Sequence, residues 1–446
     1  MNSIPNLTVD IDGHSEKYIY KTEDVAEVST PVEDIIVPPV DDSAKSFPRH
    51  TRYSVIASCF VLQGLSCGLV HSWGVQQRYL ASNVYADSPH KIKTLSYIGT
   101  LMFFSLYFWG MLAGWVAEVW SFRKLCFIGV VVMAVGQLTA SFCNEPWQLC
   151  LTEGIVFGIG IGLVFSPTST APARWFTTHR GLATGITVAG VGVGGLIIAP
   201  LTDYIVREVG VKWSLRVSAI YIIVLGSIAC FFVRVPFQDK ARTLRSFDWG
   251  AFNDRRFAVH SCMVFFVTAA YIIPYSFLPT FWAYHGISSE TSSVLIAVAN
   301  VASSVGRIAL GLGADHIGVL NSLVLSLGIA SIACLLIWPF ATSVGVGVVM
   351  SLVYGFTAGG CWTLAPLAAA KLFGVEKLSS NTGIFYTISA VGAWLGTPVS
   401  NALLNGPGQG TKFIGMSVYN GVLWVAAMVF AIVNRTSYSR KVIDRV

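Results

Sequence analysis

Twelve apolar runs of about twenty residues recur along the chain. They lie at 53–78, 94–117, 125–143, 148–170, 181–206, 213–233, 256–283, 291–314, 319–340, 343–370, 380–404 and 414–433. Each is long enough to cross roughly 30 Å of hydrocarbon as a helix. Backbone polar groups in lipid must pair within their own segment, so a run of this length has to be helical. Composition agrees: charged residues are 12% of the 446, against roughly 25% in soluble domains, too few to cover a soluble surface. The expected fold class is an all-α polytopic membrane protein, with twelve transmembrane helices in two six-helix halves. A soluble enzyme, a secreted disulfide scaffold and a disordered chain are excluded for the bulk of the sequence.

Charge is distributed unevenly. The first 50 residues hold ten acids and four bases, and the other 396 hold 25 bases and 13 acids. Residues 1–50 are acidic, bear prolines and lack an apolar core; they read as a disordered cytoplasmic tail and not as a signal peptide. With the N-terminus inside, 19 Lys and Arg fall on inner segments and 6 on outer ones, which puts both ends in the cytoplasm. The expected division is a tail (1–50), a six-helix half (51–233), a cytoplasmic linker (234–255), a second six-helix half (256–433) and a cytoplasmic tail (434–446). The basic excess fits loops beside anionic lipid, with no basic stripe suited to nucleic acid. The nine cysteines include no C-x-x-C pair. They read as small buried hydrophobes, with neither disulfides nor a metal site.

The halves repeat each other. Glu118 and Asp315 are 197 apart, Pro167 and Pro366 199, Thr184-Gly185-Ile186 and Thr382-Gly383-Ile384 198, and Pro200 and Pro398 198. Offsets this constant, each in the corresponding helix, point to an internal duplication, an arrangement found in secondary transporters.

The turn after the second run, Gly114-Trp115-Val116-Ala117-Glu118-Val119-Trp120-Ser121-Phe122-Arg123-Lys124, resembles the signature loop of the major facilitator superfamily. Ser121 stands where that loop usually carries Gly. The second copy, Gly311 to Gly318, keeps Asp315 but lacks the bases. The stretch Trp175 to Gly190, continuing to Pro200, is similar to the fifth-helix entry of the monocarboxylate porter family, closest to its fungal branch. The resemblance covers about 51–433. It implies the major facilitator fold, alternating access and a conformational latch made by Gly114, Glu118, Arg123, Lys124 and Asp315.

Ionisable groups inside spans are costly and are functional candidates by default. Asn300, Ser303, Ser304 and Arg307 lie at i, i+3, i+4 and i+7, giving the eighth helix one polar face. By resemblance, Arg307 matches the arginine that binds substrate carboxylate. The acid that animal members carry one turn earlier is here Ser303. The alternative is a guanidinium snorkelling to the inner interface. His71, in the outer part of the first helix, stands by resemblance where animal members carry a substrate-linked Lys. It is either a titrating group, active near pH ~6.5, or a neutral imidazole bonded to a neighbouring helix. Glu153 in the fourth helix is either a proton site or a carboxyl facing outer water. Tyr107, Tyr271, Tyr275, Phe281, Trp362 and Tyr386 are the aromatic candidates for the cavity wall, and Tyr271, Pro274 and Tyr275 are expected to break the seventh helix.

The sequence therefore reads as a secondary active transporter. Its substrate is a small, anionic organic acid or related metabolite, and protons are the coupling ion, by symport or in efflux. Efflux of a fungal secondary metabolite is the alternative within transport. A non-transporting membrane sensor is the rival of another class. No enzyme constellation or cofactor site is present in the sequence. The plasma membrane is the expected location, with the vacuolar membrane the alternative.

Overall fold

A computed structural model describes residues 48–85, 88–176, 179–236, 253–374, 378–405 and 413–438. The expected tail at 1–47, most of the linker and residues 439–446 lie outside the described residues. Within Ser43–Val446, which forms one compact unit, the described chain is helical throughout its regular structure. We number the helices α1 (Arg49–Tyr79), α2 (Pro89–Val119), α3 (Phe122–Ala140), α4 (Pro146–Trp175), α5 (Arg180–Val209), α6 (Val211–Phe232), α7 (Arg255–Tyr284), α8 (Ser289–Ile317), α9 (Val319–Phe340), α10 (Val344–Phe373), α11 (Leu378–Asn405) and α12 (Phe413–Tyr438). They coincide with the twelve apolar runs to within five residues at each end, and most extend past them because helices continue into the interfacial region where flanking polar residues are solvated. Eleven are long and apolar enough to cross a membrane. The exception is α11, which is 28 residues long but diluted by Asn381, Thr382, Thr387, Ser389, Thr397 and Ser400.

Packing repeats with a period of six helices. In the first half α1 packs on α5, α2 on α4, and α3 on α4 and α6; in the second α7 packs on α11, α8 on α10, and α9 on α10 and α12. The internal duplication read from the sequence is thus present in the packing. The halves meet chiefly along α5 against α8 and α2 against α11. Large apolar side chains remain exposed on the flanks, such as Ile220, Ile228 and Phe231 on α6 and Leu325, Ile332 and Leu336 on α9. In lipid such exposure carries no penalty, and close helix contact depends on small residues instead. At the α5–α8 seam a Cβ on Gly181 would collide with the Gly311 carbonyl, and one on Gly185 with the Arg307 carbonyl. The cysteines are free, as expected, but Cys262 is exposed and Cys143 and Cys150 are half-buried. A thiol is small and apolar enough to face lipid as readily as a protein interior.

The expected break in the seventh helix is absent: α7 runs unbroken through Pro274 and Pro279. Pro274 has no N–H for the carbonyl of Ala270, and its ring crowds the same turn. Asn420 Nδ2 of α12 donates to Ala270 O at 2.9 Å, and the Tyr354 hydroxyl of α10 donates to Tyr271 O at 2.8 Å. Neighbouring helices thereby re-satisfy the freed backbone, which is how membrane helices tolerate proline.

Candidate functional site

Arg307 is 3% exposed, in the half of α8 nearer its C-terminus. Its contacts come from two helices besides its own turn. Nε donates to Ser303 Oγ at 3.3 Å, Nη1 to the Val188 carbonyl of α5 at 3.0 Å, and Nη2 to the Tyr271 hydroxyl of α7 at 3.4 Å. All three acceptors are neutral. A guanidinium cannot shed its charge inside a protein, so this cation is held by dipoles alone. The Val188 contact crosses between the halves. Snorkelling, the alternative reading, does not describe a side chain buried and bonded in this way.

Arg307 lines a cavity of about 30 Å³, room for a water or two. The other walls include His71 of α1, Tyr107 of α2, Phe165 of α4, Tyr271 of α7 and Trp362 of α10. Both halves therefore contribute. The rings form a connected collar. Tyr107 stacks on Trp362 with centroids 5.7 Å apart, Trp362 meets Tyr271 edge-on at 5.6 Å, and Tyr107 tilts against Tyr386 at 6.0 Å. The ring nitrogen Nε1 of Trp362 and Nδ1 of His71 are buried without a partner. The cavity thus combines one fixed cation, unpaired polar atoms and an aromatic wall, contributed by both halves.

Of the remaining aromatic candidates, Tyr386 reaches across the halves from α11, its hydroxyl 3.0 Å from Ser169 Oγ of α4. Tyr275 stands behind Tyr271, centroids 5.5 Å apart, outside the cavity wall. Asn300 is half-buried and absent from the wall as well; its carbonyl faces Gly192 of α5. The helical face read from the sequence splits, with Ser304 against α5 and Ser303 against Gly359 of α10. Sequence reasoning missed the Val188 carbonyl, which has no side-chain signature. Ser169 was also missed, and only a known α4–α11 register would have found it.

Glu153 is apart from this cavity, inside the first half, where Gln137 Nε2 of α3 donates to its Oε2 at 3.0 Å. Arg216 of α6, a base near that helix start, lies over the rings of Trp213 and Phe142 at 4.9 and 5.4 Å.

The latch residues divide. Asp315 at the end of α8 accepts from Gly181 N at 2.8 Å and Leu182 N at 2.9 Å, the first free amides of α5. A carboxylate there answers both the unpaired donors and the positive end of the helix dipole. His179, the one non-glycine with positive φ (59°) among the described residues, turns the chain to present those amides. In the first copy Gly114 is buried and Lys124 exposed, while Arg123 Nε donates to Val233 O at 3.5 Å and lies 5.3 Å from the Phe231 ring. The Glu118 side chain lies outside the described residues. The Asp315 bonds, with Ser169–Tyr386, lie between the cavity and the end of the bundle carrying Arg123, Arg174 and Lys371. Both contacts tie a helix of one half to a helix of the other on that side of the cavity.

Two packed helical halves with a cavity at their seam define the architecture of a polytopic membrane transporter. The Major Facilitator Superfamily sequence profile matches residues 72–397, with a further match over 261–441. The chain belongs to the Major Facilitator Superfamily. It is 26% identical over 401 residues to the agnestins efflux protein of Paecilomyces divaricatus, covering 89% of this chain and 91% of that one. It is 26% identical over 408 residues to the fujikurins efflux protein of Gibberella fujikuroi, covering 90% and 87%. Among solved structures the human organic anion transporter MFSD10 superposes with a TM-score of 0.68 at 13% identity, over 86% of this chain and 100% of that chain.

Proposed function

We propose that the protein exports a small organic acid, or a related acidic secondary metabolite, by alternating access coupled to protons. The observation that carries the reading is Arg307: a buried cation at the seam of the halves, bonded to neutral oxygens and walled by aromatic rings. A planar guanidinium matches a carboxylate. The likeness of the α5 entry to monocarboxylate porters supports an anion at this position, and the relatives named as efflux proteins support outward transport. An anion leaving a negative-inside cell gains about 2.3 kcal/mol per charge per 100 mV.

The proposed orientation places the basic end and both chain termini in the cytoplasm, with 234–255 as a cytoplasmic linker and the plasma membrane as the location. A glycan on Asn6 or Asn434, both in sequons, would overturn that orientation. The functional experiment compares metabolites inside and outside cells of a deletion strain and its parent. The expected result is an organic acid retained inside the deletion strain and depleted from its medium. Depletion inside with enrichment outside would support uptake instead, and a change confined to neutral compounds would sink the anion reading.

A further inference from the structure

The cavity leaves one buried ionisable pair of the first half unused. Glu153 is 1% exposed and sits in a π-helical stretch of α4, Cys150–Phe157. Gln137 of α3 is also 1% exposed. One hydrogen bond joins them, from Gln137 Nε2 to Glu153 Oε2 at 3.0 Å. The other oxygen of each group, Glu153 Oε1 and Gln137 Oε1, is buried without a partner.

An ionised carboxylate has only acceptors to offer, so it leaves both oxygens stranded. Buried polar atoms without partners are rare because each forfeits its bonds to water. A single proton removes both defects. We propose that Glu153 and Gln137 form a proton-binding site, in which Glu153 is a neutral carboxylic acid whose O–H donates to Gln137 Oε1 while Gln137 Nε2 donates to Glu153 Oε2. Binding takes one proton from water and forms one O–H bond. Release breaks that bond and leaves a carboxylate held by one N–H.

The surroundings favour the neutral acid. From α2 the neighbours of this stretch are Leu101, Met102 and Ser105, packed against Gly154 and Gly158. From α6 the titratable group facing Glu153 is Tyr221, whose hydroxyl bonds Ser218 Oγ at 3.1 Å. Arg216, the cation of α6, is turned to Ser141 and its two rings. On α4 itself Cys150 lies one turn away. Glu153 is the eighth residue of α4, about 10 Å from its start at 1.5 Å per residue. Gln137 is in the last turn of α3. The pair therefore sits toward the end of the bundle opposite the basic end, and its proton comes from water on that side. The site is distinct from the Arg307 cavity and holds its proton whether or not substrate is bound.

The test is infrared titration of the purified full-length protein in lipid vesicles, with protons as the only ligand. The expected result is a neutral-carboxyl C=O band at neutral pH that vanishes in Glu153→Gln, a replacement that keeps shape and a hydrogen-bonded amide. In Gln137→Leu the band persists but moves to higher frequency, because the acid has lost its partners. An identical band in wild type and Glu153→Gln, or no band in either, would overturn the proposal. Should Glu153→Gln fail to assemble, the Gln137→Leu shift decides alone, and an unshifted band there would overturn it too.

Discussion

Arg307 and Glu153, the only Asp, Glu, Lys or Arg side chains buried among the described residues, are held in opposite ways. Arg307 lies at the seam, and each of its three nitrogens donates to a neutral oxygen, one of them from the other half. Glu153 lies within one half, with a single donor and one oxygen unpaired. The difference follows from the chemistry of the groups. A guanidinium keeps its charge in any protein environment, so its compensation has to come from surrounding dipoles or, on the proposed function, from an anionic ligand. A carboxyl can be neutralised where it stands, so it can be built into a static helix pair. The seam of a two-half transporter is where an arriving anion changes the balance most, because Arg307 already touches both halves. An anion there weakens the pull of Arg307 on the Val188 carbonyl and gives the two halves a shared ligand.

The largest expected effect breaks the seam side of this contrast. Arg307→Lys keeps the charge but loses the planar fork and two of its three directed bonds. Losing even one hydrogen bond to a charged group costs about 1.5–3 kcal/mol, so transport should fall by at least about tenfold to a hundredfold. The protein should still reach the membrane, because the surrounding packing on Gly185 and Gly359 is unchanged. Initial rates in vesicles, normalised to reconstituted protein, measure this. Transport within twofold of wild type would remove Arg307 from the substrate site.

An intermediate effect is expected at the latch, which sharpens the comparison by testing the seam without touching the cavity. Asp315→Asn keeps one acceptor for the start of α5 and removes the charge. Charge–dipole contacts of this kind are worth about 0.3–2 kcal/mol, so the population with the basic end open should rise by about twofold to thirtyfold. A single cysteine at buried Thr184 on α5, in a protein stripped of its native cysteines, should then be alkylated faster by the same factor. An unchanged rate would mean that Asp315 caps α5 without holding the halves together.

Much of this architecture was legible in the residues, and for identifiable reasons. Helix number and position follow from hydrocarbon thickness, which imposes a length that composition cannot disguise. Position inside apolar runs marks Arg307 and Glu153 as candidates but leaves snorkelling open for the one and outer water for the other; the fold buries both. What the sequence hid is inter-helix register. Pro274 looked like a break because the donor that repairs its turn, Asn420, is 150 residues from Ala270. Asn300 looked like a cavity residue because helical spacing puts it in line with Arg307. In the fold that face spans two neighbours, α5 and α10, and Asn300 falls on the α5 side. The Val188 carbonyl could not be read at all, since every residue has one. Phe165 joins the wall only once α4 is placed beside α10.

The smallest expected effect concerns His71, the titratable group that shares the cavity with Arg307. It stands between the two cases compared above: at the seam like the arginine, but able to gain or lose a proton like the carboxyl. Its Nδ1 is buried without a partner and packs near Gly195 of α5. Neutral imidazole has one donor and one lone pair, so the empty position can take a proton or accept a bond from substrate. An anion bound at Arg307 favours the protonated ring, and a protonated ring favours the anion. Binding of proton and anion should therefore be mutually supportive. Gln can imitate the neutral ring's donor and acceptor but cannot titrate. His71→Gln should keep binding within about threefold, a change under about 0.7 kcal/mol at 1.4 kcal/mol per tenfold. It should also flatten the acid-side pH dependence of transport, because an amide cannot take up a proton. The rise in wild-type affinity lies on the acid side, since the charged ring is the form that helps the anion. A profile of wild-type shape in His71→Gln would leave the cavity with a fixed charge alone, and would place any proton coupling at a group other than this histidine.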